Sequence, residues 1–453
     1  MKTFMLALVA LTMAIDESFG STWVVDTANK LLSDGKWSLS VDVKNKQITI
    51  KAVSVAPESK SDLDFSAGIE DTAGQTGYKV TSISRQGFMN VASVGRVVMP
   101  HLTSLNRRTF QSSGITYFQA DSLGTLTYAD LRNCSSLTEV RLPSCVTAQG
   151  GDDTNYGAFG QCAALTTVYA PLLKSLGKNS FRDCSSLQSI SLPSATNIGA
   201  GAFANCKNLE EIELASENVT IGDTTFNGCI KLRSIVPNVF VNSGTLNYAF
   251  QYCAALHQKL KFPNLTGLGK STFSLSGITE LELPAVLTIQ SFNYVDPCNH
   301  GALYSATNLT KLVFGEGLQT IGGFSIYNCY KLESIEMRST NSVAVGVKGI
   351  YNVGTEKGVD VYINKLPVLN GLSIYSKFAP MRINVCSAGE WDNWKSAVSE
   401  NDSVFEEYKT TRGDVPAEAQ GVYLGCATAS EEPYCYHYIL RNFALPGTLM
   451  MCK

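Results

Sequence analysis

Charge is scarce in this sequence, and neither sign dominates. Of 453 residues, 36 are lysine or arginine and 39 are aspartate or glutamate, a formal net charge of −3. That balance supplies no electrostatic pull toward nucleic acid or an anionic membrane. Histidine is rarer still. The four residues His101, His257, His300 and His437 are scattered and form no HExxH arrangement, and no G-x-S-x-G elbow occurs. The 13 cysteines include no C-x2-C pair of the kind that ligates zinc. Catalytic residues, metal ligands and cofactors are therefore all expected to be none.

Long apolar runs are also missing beyond the first residues. Lys2, the short apolar run Phe4 to Ile15 and the small residues around Ser18-Phe19-Gly20 read as an export signal over residues 1–20. The run is shorter than the roughly 20 residues that cross a bilayer, so no membrane span is expected. No lipid or wall anchor is expected either. The first cysteine is Cys134, and Leu445-Pro446-Gly447-Thr448-Leu449 departs from a sortase signal.

What the sequence does have is a period. Phe159, Phe181, Phe203, Phe226 and Phe250 are spaced by 22, 22, 23 and 24 residues. Three residues after each comes Cys162, Cys184, Cys206, Cys229 or Cys253, and three later Leu165, Leu187, Leu209, Leu232 or Leu256. A short alternation follows, as in Leu187-x-x-Ile190-x-Leu192, then often a proline and an Ile-Gly or Leu-Gly pair such as Ile198-Gly199. Weaker copies begin upstream at Phe88, Phe110 and Leu131, and downstream at Phe273, Leu303 and Ile326. Together they make about eleven coils between residues 80 and 340.

One such unit cannot bury its apolar side alone, so successive coils must stack and pair their short strands in parallel. At about 4.8 Å per strand, eleven coils make a sheet roughly 50 Å long. The Phe and Leu fill the layer between sheet and return path. The glycine of the Ile-Gly pair reads as a turn residue free to take φ > 0. Cys134, Cys162, Cys184, Cys206, Cys229, Cys253 and Cys329 share one repeat position. There they read as reduced, buried, small hydrophobes, since parallel neighbours suit disulfide geometry poorly.

The run Ile198-Gly199-x-x-Ala202-Phe203-x-x-Cys206-x-x-Leu209-x-x-Ile212-x-Leu214 resembles the BspA-like leucine-rich-repeat family, departing only where Ala215 replaces a final proline. The resemblance covers somewhat over half of the chain. It implies a secreted or cell-surface binding protein, often one tied to adhesion, with no ligand that carries over. The expected fold is an α/β leucine-rich-repeat solenoid, a parallel sheet of about eleven short strands with non-repeat caps at both ends.

Trp37 to Val43 and Gln47 to Val53 alternate as strands around a Lys44-Asn45-Lys46 turn, so residues 21–78 read as an N-terminal β cap. The repeats occupy 79–345. Residues 346–411 read as degenerate repeats, with strands at Val359–Ile363 and Met381–Val385, then a helical cap from Trp391 to Tyr408. Residues 412–453 read as a poorly ordered tail, with Cys426 and Cys435 the pair in it best placed for a disulfide.

The binding surface expected is the outer face of the sheet, where residues flanking the buried Ile point outward. Its candidates are Tyr117 and Gln119, Glu139 and Arg141, Thr167 and Tyr169, Glu211 and Glu213, Glu280 and Glu282. The four last-named make a carboxylate cluster on the middle coils, and Tyr117 and Tyr169 are aromatics of the anchoring kind. Arg412-Gly413-Asp414 is a second candidate adhesion motif. Asn264 to Ser271 nearly spells a phosphate-binding loop, but Asn264 stands where glycine is needed and Leu268-Gly269 fills the recurrent turn position. The expected function is non-catalytic binding of an extracellular protein or glycan. The rivals are a self-associating surface-layer component and an enzyme with its site in the non-repeat ends.

Overall fold

The computed structural model describes residues 23–151, 157–292, 301–365, 367–369, 374–376, 382–385 and 439–442. The expected export signal, the Trp391–Tyr408 helix, Arg412-Gly413-Asp414 and the Cys426–Cys435 pair lie outside the described residues.

Alternating apolar residues build seven strands at the N-terminal end: β1 (Trp23–Asp26), β2 (Leu31–Ser33), β3 (Ser38–Lys44), β4 (Gln47–Val55), β5 (Ser61–Asp64), β6 (Ile69–Asp71) and β7 (Thr76–Ile83). The β3–β4 hairpin turns on Asn45 and Lys46, both left-handed at φ 51° and 60°, the backbone that matches strand twist in a two-residue turn. Strands pair in the order β4-β3-β2-β1-β6-β7, and β4 also pairs with β7, closing a six-stranded ring. Two further pairings join the cap to the repeats. β5 pairs with Val94–Val98, and β7 pairs with Ser104–Leu105. The first coil's edges are thus hydrogen-bonded to the cap rather than left open. Trp37 meets Phe88 edge-on at 6.2 Å, so the two cores are continuous.

Each coil then contributes to three walls. The first is built from the Leu-x-x-Ile-x-Leu segments: eleven strands from Val94–Val98 to Ser334–Met337, as the period indicates, followed by Asp360–Ile363, Arg382–Val385 and Ile439–Asn442. Equivalent residues stand in line, as in Arg96↔Tyr117↔Glu139↔Thr167. The second wall comes from the two residues before the glycine, in the register Thr125↔Thr147↔Ser175↔Asn197↔Thr220. The third is a ladder of turns at the phenylalanine. Phe159 N donates to Ser180 O at 2.8 Å, Phe181 N to Ala202 O at 2.7 Å and Phe203 N to Thr225 O at 2.9 Å. The α component of the expected α/β class is therefore not found among the described residues: the return path is turns and short strands, with no helix. Left-handed residues two places either side of the phenylalanine, Asn179 (φ 59°) and Asp183 (φ 62°) around Phe181, bend the chain around the ring.

Between the walls the phenylalanines stack along the solenoid. Phe159 to Phe181, Phe181 to Phe203 and Phe203 to Phe226 have centroids 4.7, 5.4 and 5.7 Å apart with ring planes within 7° of parallel. The coil rise imposes that spacing.

Two sequence expectations change in cause. The Ile-Gly glycines are not among the positive-φ residues. They are needed because coils touch there: a Cβ on Gly199 would lie 2.7 Å from the Gly177 carbonyl carbon, and one on Gly177 would run into Gly150 N. The repeat cysteines are free and buried, yet they do more than fill space. Each thiol donates to the carbonyl of the coil before: Cys184 Sγ to Phe159 O at 3.2 Å, Cys206 to Phe181 O, Cys229 to Phe203 O and Cys253 to Phe226 O, all three at 3.1 Å. Each of these carbonyls also accepts a backbone N–H from its own coil, as Phe181 O does from Cys184 N at 3.1 Å, so the thiol is a second donor that ties one coil to the next.

Candidate surface for macromolecular binding

The outer side of the first wall carries two columns of side chains, one on each side of the buried central residue. From the cap onward the first column reads Arg96, Tyr117, Glu139, Thr167, and the second reads Val98, Gln119, Arg141, Tyr169. Val98 is buried, as is Val313 further along, so neither belongs to the outer surface as alternation alone suggests.

The aromatic residues are held by cations from the preceding coil. Arg96 lies over the Tyr117 ring at 3.7 Å, and Arg141 over the Tyr169 ring at 4.8 Å. Tyr117 Oη donates to Gln119 Oε1 at 2.7 Å, and Gln119 Nε2 donates to Asp121 at 3.0 Å. Burial raises the Tyr117 phenol pKa, against the pull of Arg96. Arg141 also pairs with Glu139 at 3.8 Å. Two rings fixed in this way lose little conformational freedom on meeting a partner.

The carboxylates divide into two separate groups rather than one cluster. Glu211 and Glu213 share a strand that pairs with Ser189–Ser191 on one side and Ser234–Val236 on the other. Neither meets a cation among the described residues; Glu213 accepts a hydrogen bond from Ser191 Oγ at 2.6 Å. Glu280 and Glu282 lie beyond the Lys259–Lys261 strand, with which they pair. Lys259 sits 3.4 Å from Glu280 and contacts Glu282, and Lys261 is 3.3 Å from Glu282. The bond from Lys259 holds Glu282 below the usual carboxylate range. Further along, Glu336 is flanked by Lys311 at 2.6 Å and Arg338 at 2.7 Å. Sequence alternation finds the acids but not the bases that neutralise half of them. The signal was present in Lys259-x-Lys261, one coil before Glu280-x-Glu282.

The ladder of this wall is interrupted twice: between Ser234–Val236 and Lys259–Lys261, where only an isolated bridge joins Val239 to Lys261, and at an earlier seam. Thr167–Tyr169 and Ser189–Ser191 fall in separate sheets, with no backbone hydrogen bond between them among the described residues. At that seam Val168 is only partly buried, whereas Val140 and Ile190 on either side are buried.

Elsewhere, a cleft of 160 Å3 lies where the cap meets the first coil, with Phe65, Ile69, Tyr78 and Met99 in its wall and Glu70, Lys79 and His101 beside them. Among the described residues no group of three or more His, Cys, Asp or Glu is placed to hold a metal ion, and no helix is long and apolar enough to cross a membrane. The Asn264–Ser271 segment forms the second-wall strand Leu265–Leu268 and its coil contact at Gly269.

Stacked coils with a parallel ladder on one wall and a turn ladder opposite define a leucine-rich-repeat solenoid. Residues 75–173, 152–276 and 245–346 match the BspA type leucine rich repeat region, in six copies, and the chain belongs to that family. It is a family of repeat proteins that act by interaction. Among solved structures the chain is similar to a leucine-rich repeat protein from Bacteroides ovatus, at 18% identity over 72% of this chain and 93% of that one with a TM-score of 0.44. It is also similar to a leucine rich cell surface protein from Faecalibacterium prausnitzii, at 17% identity over 68% and 88% with a TM-score of 0.33. A third is the pneumococcal vaccine antigen PcpA, at 14% identity over 81% and 96% with a TM-score of 0.34. No curated protein matches the chain.

Proposed function

We propose that this protein is exported or displayed at the cell surface and there binds an extracellular protein or glycan through the outer face of its first wall, without catalysing a reaction. The surface comprises Tyr117, Gln119, Glu139, Arg141, Thr167, Tyr169, Glu211, Glu213, Glu280 and Glu282. The observation that carries the reading is the pair of aromatic rings, Tyr117 and Tyr169, each braced by an arginine and aligned on a hydrogen-bonded scaffold. Rigid amphipathic aromatics of this sort anchor interfaces. Arg412-Gly413-Asp414 is a second proposed contact, for an adhesion receptor.

The test is a binding screen of residues 21–453 against extracellular-matrix proteins and glycans, beside a variant with Tyr117, Tyr169, Glu211 and Glu213 replaced by alanine. Saturable binding that the variant loses is the expected result. Binding that the variant keeps moves the site off this face. An absence of any binding removes the proposal in favour of a self-associating structural role.

A further inference from the structure

The strip from the Thr167–Tyr169 strand to the Ser234–Val236 strand differs from the rest of the face in three respects. Its strands Ser189–Ser191 to Ser234–Val236 form a sheet cut off at both ends, and at the Thr167–Tyr169 seam Val168 is partly uncovered and the facing strand edges share no backbone hydrogen bond. Across the seam the second column continues Ser191, Glu213, Val236, so that Tyr169 (46% exposed) and Val236 (53% exposed) bracket a serine and a carboxylate. The strip also holds the only glutamates among the face candidates that meet no cation among the described residues. Glu139, Glu280 and Glu282 are each compensated by a lysine or arginine, while Glu211 and Glu213 are not.

Resting on the binding role proposed above, we infer that this strip docks a protein segment that presents a lysine or arginine between apolar side chains. The charge sets the class of partner. An anionic glycan or phosphorylated segment meets two uncompensated carboxylates and no free cation, and like charges brought together in an interface cost affinity. A neutral sugar stacks on ring faces. Arg141 lies over the Tyr169 ring, and Val236 offers a sugar no hydrogen bond. A basic side chain, by contrast, lands on Glu211 and Glu213, and its neighbours cover Tyr169 on one side and Val236 on the other. Tyr169 and Val236 are three strands apart, about 14 Å at the usual strand spacing. An extended chain of four or five residues spans that distance. The small Ser189 and Ser191 leave room for its backbone to approach the face at the seam.

Random dodecapeptides displayed on phage and selected against the full chain test this. The expected winners carry lysine or arginine flanked by apolar residues. Their synthetic copies should lose affinity about tenfold or more on the charge-reversed variant Glu211→Lys/Glu213→Lys, and weaken with rising salt. They should weaken also on Tyr169→Ala and on Val236→Ser, and bind normally to Asn197→Lys, which changes charge on the second wall. All five substituted positions are exposed or partly exposed, and circular dichroism confirms that each variant folds. Selected peptides that are acidic or neutral, or that bind the charge-reversed variant as well as the parent, overturn the inference. So does a hit from the matrix and glycan screen that survives charge reversal, while leaving the broader binding role intact. A chain that selects no peptide and gives no hit in the screen overturns both.

Discussion

Arg96 and Tyr117, 21 residues apart in sequence, occupy the same column of adjacent coils, and the guanidinium lies 3.7 Å from the centre of the ring. The stack is part of the scaffold before it is part of any interface. In a double-mutant cycle with Arg96→Ala and Tyr117→Leu, the coupling in urea unfolding should be about 0.5–1 kcal/mol, the usual worth of a half-exposed cation–π contact. Strictly additive losses would mean the contact adds nothing.

Coil contact at the Ile-Gly glycines separates crowding from backbone conformation. Gly199→Ala should cost about 2–4 kcal/mol, because the new methyl meets the Gly177 and Lys178 backbone at 2.7 Å and both belong to the neighbouring coil. Gly124 has nothing within 4 Å of an added Cβ. Gly124→Ala should stabilise by about 0.4–1 kcal/mol by restricting the unfolded chain. Chemical denaturation of the two variants checks both signs.

The thiol line predicts reactivity and stability together. Burial pushes the Cys134 and Cys329 thiols up to about 12 and raises the others in the line. The eight free buried cysteines should therefore stay silent to a disulfide reagent in the folded protein and react once it is denatured. Cys206→Ala should cost about 1–2 kcal/mol, for a small cavity and the loss of one of the two hydrogen bonds to Phe181 O. Cys206→Ser keeps a donor and should cost less. Ser276 fills the same repeat position in a later coil, where the hydroxyl donates within its own coil, to Phe273 O at 2.7 Å.

Asp130 stands where stronger copies of the repeat have Ala202 or Ala158. It is buried, and burial raises its pKa above the ordinary carboxyl value of 3.8 despite hydrogen bonds from Thr127 and Thr109. A proton is then held more tightly in the folded chain than in the unfolded one. The stabilisation this gives is complete below 3.8 and disappears as pH rises through the folded value. Relative to Asp130→Asn, the parent should lose stability across that window, read as a falling urea midpoint. A difference between the two proteins that does not change with pH would contradict it.

The period was readable because the same side chain must reach the same place in the core of every coil. Phe181, Cys184 and Leu187 therefore announce themselves by recurrence alone. The eleven strands and the buried cysteines follow from that. Recurrence gives position but not cause. Gly199 recurs for want of space beside Gly177, which a single coil considered by itself does not reveal, and the thiol of Cys206 has its acceptor a whole coil away. The face was legible to the same degree. Alternation marks Tyr117, Tyr169 and Glu211 as outward, yet the neutralisation of Glu282 by Lys259 and Lys261 depends on which coils are neighbours. The seam beside Val168 and the second and third walls had no separate signature, since they arise from hydrogen bonds between coils.

The rings of Phe181, Phe203 and Phe226 and the thiols of Cys206 and Cys229 meet only the coils immediately before and after them. A joint between two coils is thus the same joint wherever it occurs. Cutting out or duplicating one whole coil between such joints re-creates the severed contacts at the splice and shifts everything beyond it by a single step. The length of the molecule is in that sense adjustable in units, and two patches on its face can be brought nearer or moved apart by recombination without redesigning either one.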